Sequence, residues 1–219
     1  MRYLLIANLL VLAISISSRT GVAQQMTTDR LLVTVNGQII TESDVRWALA
    51  LDPDITDLQF TNENIRSMLE RLIDQKLLLQ EAEKLPRNEP TEEEITAYIN
   101  NELIGKFGSN DRFISGMARV GLEQSMLRDI VRKRLEILKY VDFRFRSFIF
   151  VKPEDIEEYY RKTIAAESAR KGVGVPELND ELKARIEERL IGEKVNAELD
   201  RFFDETRAQA QIIRLAPLK

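Results

Sequence analysis

Residues 31–45, LLVTVNGQIITESDV, constrain the fold more than any other stretch of this chain. Val33 and Val35 fall on one face of an extended strand. Asn36-Gly37 is the dipeptide favoured by a two-residue type I′ turn, whose central positions both need positive φ. Ile39-Ile40 returns as a second short strand, and Thr41 with Asp44 three residues on has the spacing of a helix capping box. A hairpin alone is marginal in water and needs a third strand or a covering helix. The rest of the chain must therefore supply both a cover and a partner strand.

Downstream, hydrophobic periodicity predicts a succession of helices. Val45, Ala48 and Leu49 form a short apolar face ending near Asp52-Pro53, and Ile65, Met68, Leu69, Leu72, Ile73 and Leu77 form a longer stripe from about Thr61 to Leu85-Pro86. Thr91 opens another capping box with three acids in its first turn. Gly105 and Gly108 loosen the end of that helix, Ser109 or Asn110 caps a short segment, and Gly121 breaks it. A long helix from about Leu122 carries Leu127, Ile130, Val131, Leu138 and Val141 inward, with its arginines and lysines as a solvated face. Phe143 to Val151 changes to a period of two and reads as a strand or extended linker. Pro153 then starts a helix to about Lys162. Asn179 caps the last, long amphipathic helix, in which Gly192 is a candidate bend. After it, residues 210–215 have the length and composition of the strand that the opening hairpin lacks.

The first 23 residues stand apart. Arg2, an apolar run from Tyr3 to Ile16 and the small residues at Gly21-Val22-Ala23 read as a signal peptide cleaved before Gln24, the run being shorter than the about 20 residues of a membrane span. The alternative is an uncleaved anchor. Export is the expected fate, with no membrane span after cleavage. Cleavage leaves 30 of the 32 basic side chains against 36 acidic ones, a net charge of −6. That sign argues against nucleic-acid partners, which need a basic surface. The chain has no cysteine and no histidine. It therefore has no disulfides, no imidazole catalysis and no His-ligated metal. No cofactor is expected.

Taken together, VNGQIITESDV, MLERLIDQKLLLQEAEKL, PTEEEITAYI, LRDIVRKRLEILKYV and FIFVKPEDIEEYY resemble the SurA N-terminal domain family of periplasmic chaperones. The terminal KVNAELDRFFDETRAQAQIIRL is similar to the helix and strand that complete that domain. The resemblance implies a mainly α, multi-helix chaperone core with a small antiparallel sheet made by the N-terminal hairpin and the C-terminal strand. It divides the chain into a signal peptide (1–23), a helical chaperone domain (24–164), a linker (165–178) and a completing helix and strand (179–219). Relatives usually carry parvulin-type prolyl isomerase domains before the last helix. Here that interval holds only residues 162–178, too few for an independent domain, and the paired histidines of such sites are absent.

The implied function is a holdase that binds unfolded exported or outer-membrane polypeptides through an apolar crevice, without catalysis. Phe107, Phe113, Met117 and Met126, on short Gly-interrupted helices, are nominated as crevice lining; at helical spacing the same residues also suit ordinary core. Two other readings are an adaptor for one partner of an envelope assembly and an enzyme. The second would be a relic isomerase or a carboxylate hydrolase using acid pairs such as Glu187-Glu188. Free sheet edges are also compatible with a homodimer.

Overall fold

A computed structural model describes residues 29–52, 61–85 and 89–215. The expected signal peptide and Pro53 and Pro86 lie outside these residues. Strands β1 (Leu31–Val35) and β2 (Gln38–Thr41) form the opening hairpin. Asn36 and Gly37 take φ of 50° and 84°, the left-handed pair that the type I′ turn requires. The register pairs Val33 with Ile40 and Val35 with Gln38, and a bulge lies between Leu31 and Val33. Thr41 then caps α1 (Glu42–Ala50): its hydroxyl accepts the Asp44 N–H at 3.2 Å, and the Asp44 carboxylate accepts the Thr41 N–H at 2.9 Å. The hairpin therefore leads into the helix with both orphan amides satisfied.

The missing strand comes from the far end of the chain. β3 (Ile212–Arg214) pairs antiparallel with β1, giving the order β2-β1-β3. Asn36 closes the junction twice, donating its N–H to the Gln211 carbonyl at 2.9 Å and accepting the Gln211 N–H on its side chain at 2.8 Å. One face of the sheet is covered by α1 and α2 (Asn62–Ala82), where Val33, Val35, Val45, Ile73 and Leu77 are fully buried. Each such aliphatic side chain stabilises the fold by about 1.5–3 kcal/mol through burial.

Two further clusters extend this core. α3 (Glu92–Tyr98) runs through a π-helical turn (Ile99–Ile104) into α4 (Gly105–Phe107), and Gly108 ends it with φ 74°. Ser109 caps α5 (Asn110–Arg119), and α6 (Gln124–Arg144) follows Gly121. Ile95, Leu103, Phe113, Leu127 and Val131 bury one another here. Glu92 pairs with Arg128 and Arg132 across α3 and α6. The third cluster joins Leu78 of α2, Tyr140 and Phe145 at the end of α6, and Val195 and Phe202 of α9 (Asp180–Gln209). Its rings meet edge to face, Tyr140 with Phe145 at 6.1 Å and Phe145 with Phe202 at 5.7 Å. The mainly helical architecture with a small antiparallel sheet from both chain ends is as the sequence predicts.

Between residues 143 and 171 the expectations hold only in part: a helix starts at Pro153 and residues 149–152 link to it without regular structure, but the rest differs. Residues 143–151 are not a strand: α6 continues to Arg144 and a 3-10 turn spans Arg146–Phe148. Phe145 drops into the third cluster and Ser147 donates to the Asp142 carbonyl at 2.9 Å, so the chain winds where period-two spacing suggested extension. Leu138, assigned inward, is exposed. α7 (Pro153–Tyr159) does not stop near Lys162; a π-helical turn (Tyr160–Ala165) carries it into α8 (Ala166–Lys171). Residues 165–171, expected within the linker, are helical because Ala165, Ala166 and Ala169 favour helix and the stop signal is Gly172, with φ 66°. Only 173–179 run without regular structure before α9, which stays helical through Gly192.

Candidate functional site

The turn between α6 and α7 places three phenylalanines in solvent. Phe143 is 59 % exposed, Phe148 70 % and Phe150 84 %. Phe143 follows from helical phase: Tyr140 and Phe145 take the buried positions of this last turn, leaving Phe143 outside. Polar tethers to α9 flank the other two. Arg146 donates to the Glu188 carboxylate at 2.5 Å, and the Lys194 ammonium reaches the Phe150 carbonyl at 2.9 Å and Asp155 at 3.2 Å. Asp155 also accepts the Lys152 N–H at 3.3 Å, which fixes the start of α7. Backbone and charged groups hold the turn, and the aromatic side chains are left over.

Beside this turn lies a cleft of about 450 Å³ between the arm formed by α7, the π-helical turn and α8 and the first half of α9. Tyr159 and Ile164 line one wall; Leu182, Ile186, Arg185, Glu188 and Arg189 line the other. Glu188 belongs to both features, as cleft wall and as the acceptor of Arg146. The Arg189 guanidinium sits 5.8 Å from the Tyr159 ring centre, a cation–π contact at the rim. The Tyr160 hydroxyl donates to the Pro176 carbonyl at 2.8 Å, tying the irregular strap to the arm. The hydrogen bond from Arg146 holds the Glu188 carboxyl below the usual carboxylate range, and that from the Lys152 backbone, aided by Lys194, does the same for Asp155. Both acids are therefore ionised partners of neighbouring cations. An apolar cleft with a charged rim and exposed rings beside it suits non-covalent contact with apolar side chains.

The residues nominated from sequence lie elsewhere and are mostly interior. Phe113 is 3 % exposed, and Phe107 and Met117 pack partly buried against its cluster, with the two phenylalanine rings 5.4 Å apart. Phe113 is core because α5 buries its one large aromatic where it packs on α1, α4 and the π-helical turn. Met126, 37 % exposed near the start of α6, is the one nominated side chain that faces solvent substantially. Phe143, Phe148 and Phe150 were missed because alternation in a nine-residue window suggested a strand. Continuing the helical period from Leu127 through Val141 to Phe145 is the signal that places Phe143 outside; Phe148 and Phe150 lie beyond the helix end, where that period no longer applies.

The acid pairs carry no catalytic geometry. Glu92 is held ionised by hydrogen bonds from Arg128 and Arg132, and Glu94 by its capping bond from Thr91 and by Lys139. Neither is a general acid poised near neutrality. Among the described residues no group of three or more acidic side chains is placed to hold a metal ion. No described helix is long and apolar enough to cross a membrane.

A family model for the SurA-like N-terminal domain matches residues 2–141, from the N-terminal segment to the last turns of α6. No curated protein matches the sequence.

Proposed function

This chain belongs to the SurA-like N-terminal domain family, a non-catalytic chaperone module, and from that premise we propose that it is a periplasmic holdase for unfolded exported polypeptides. The observation that supports this most is the exposure of Phe143, Phe148 and Phe150 next to the α7–α9 cleft. Leaving large apolar side chains in water forgoes about 1.5–3 kcal/mol each, which binding to an apolar segment regains. Flexible aromatic contact of this kind tolerates many client sequences. Outer-membrane proteins are the expected clients, because their strands alternate apolar and polar side chains and remain unfolded until insertion. In this reading residues 1–23 are removed on export, and Met126 adds a secondary contact.

The test is light scattering of a urea-denatured outer-membrane β-barrel protein diluted into buffer. Suppression of aggregation at near-equimolar ratio is expected, and a Phe148→Ser/Phe150→Ser variant should lose most of it. If the wild-type protein suppresses nothing and a pull-down yields one stoichiometric envelope partner, the holdase reading is wrong and a dedicated adaptor takes its place.

A further inference from the structure

The sheet has a second face, and it is apolar. β1, β2 and β3 bury one side against α1 and α2. On the other side, Thr34 lies between Ile39 and Ile213 across the three strands; Leu31 flanks them on β1 beyond the bulge, and Leu215 follows β3. Leu31, Ile39, Ile213 and Leu215 are each 44–48 % exposed.

The edge beside this face is open as well. Among the described residues β3 pairs only with β1 and ends the sheet. The bonds from Leu215 N–H to the Leu32 carbonyl and from Asn36 N–H to the Gln211 carbonyl show that residues 211 and 215 turn their backbone groups toward β1. By the alternation of an antiparallel ladder, Ile213 does so too, and the N–H and C=O groups of Ile212 and Arg214 point outward from the edge. Among the described residues no strand pairs with them. Proteins normally blunt such an edge with an outward charge, a proline or a cover. Here the one charge in β3, Arg214, is turned to the inner side, where it donates to Glu70 at 2.7 Å.

We propose that the free edge of β3 and the open sheet face take an extended polypeptide segment with apolar side chains at alternate positions, which adds as a fourth strand. Two free residues offer two donors and two acceptors, and the face receives every second side chain, which is how strand addition divides affinity from selectivity. Area argues for a peptide over a second copy of the chain: four half-exposed aliphatic side chains present on the order of 300 Å². A stable dimer buries about 800 Å² per partner. The proposal rests on the chain being a polypeptide binder and gives it a site distinct from the α7–α9 cleft.

Fluorescence anisotropy of a short fluorescein-labelled peptide of alternating valine and threonine, flanked by lysines, tests it. Wild type should bind, and Ile213→Lys/Leu215→Lys should bind about tenfold or more weakly. The same peptide N-methylated at every second residue, which removes the amides that would pair with β3, should bind wild type at least tenfold more weakly; that comparison needs no variant to fold. Absence of binding, equal binding of the methylated peptide, or equal binding by a folded lysine variant overturns the proposal. So does a wild-type dimer in sedimentation that the lysine variant converts to monomer, since a second copy would then occupy the face. The aggregation assay is read separately: if suppression persists while the peptide result fails, only the fourth-strand site falls. If the peptide binds and suppression fails, the holdase reading falls.

Discussion

Around the three-stranded sheet, Val33, Val35 and Ile73 have no solvent exposure, whereas α7, α8 and the π-helical turn between them contain no buried residue. The two regions also differ in how they are tied down. β3 and the end of α9 are clamped to α2 by Arg207, which donates to Asp74 at 2.7 Å and to Glu70 at 3.1 Å, and by Arg214 on the same Glu70. The arm is held to α9 by Lys194 with Asp155 and by the Arg189–Tyr159 contact, both open to solvent on one side. Exposed pairs contribute about 0–1 kcal/mol each, against several kcal/mol from a buried aliphatic layer. Stability is thus concentrated on the covered face of the sheet where the chain ends meet, while the arm beyond Phe143, Phe148 and Phe150 rests on contacts that contribute little.

The largest effect should come from the buried layer. Ile73→Ala is expected to cost about 2–5 kcal/mol, read as a lower urea midpoint at unchanged slope. A loss below about 1 kcal/mol would mean that the sheet core is not the stability centre. Arg207→Ala comes next, at about 1–2 kcal/mol, since it strips two half-buried carboxylates of a charged donor.

Acid should act through the same clamp. Burial opposes ionisation of Glu70, but the hydrogen bonds and charge of Arg214 and Arg207 outweigh it and hold its carboxyl below 4.5. A carboxyl depressed in the fold stabilises it above the unfolded value and loses that contribution as pH falls through the folded one. Asp74 has the opposite sign, since burial raises it above 3.8 despite Arg207, so it favours the fold most when protonated. With Glu92 and Glu94 also depressed by their cation and cap partners, the depressed carboxyls outnumber the raised one. Stability should decline below about pH 4.5, and less steeply in Arg207→Ala. The smallest stability effect belongs to the arm: Phe150→Ser should change the unfolding free energy by no more than about 0.5 kcal/mol while weakening client retention.

Much of the first region was legible in the sequence because its signals are local and agree with one another. Asn36-Gly37, the Thr41–Asp44 and Thr91–Glu94 boxes, Ser109, Gly121 and Asn179 each set a boundary through their own backbone chemistry. Strand β3 was found by the need of the hairpin for a partner. The arm was harder. Its helix continues past Lys162 through a π-helical turn that no residue type announces, and Phe143 to Phe150 straddle a helix end where two periodicities overlap. Met and Phe at helical spacing likewise did not reveal which were interior; only the packing of α5 on α1, α4 and the π-helical turn placed Phe113 inside. The open face of the sheet depends on which side α1 and α2 cover, a tertiary fact.

Native-state hydrogen exchange of the intact protein tests the division most directly. The amides of Val33 and Val35 and of the middle of α2 should exchange only through global unfolding, and those of α7 and α8 through local openings at least about a hundredfold faster, a difference of about 2.7 kcal/mol. Equal protection of the arm and the sheet would contradict the account.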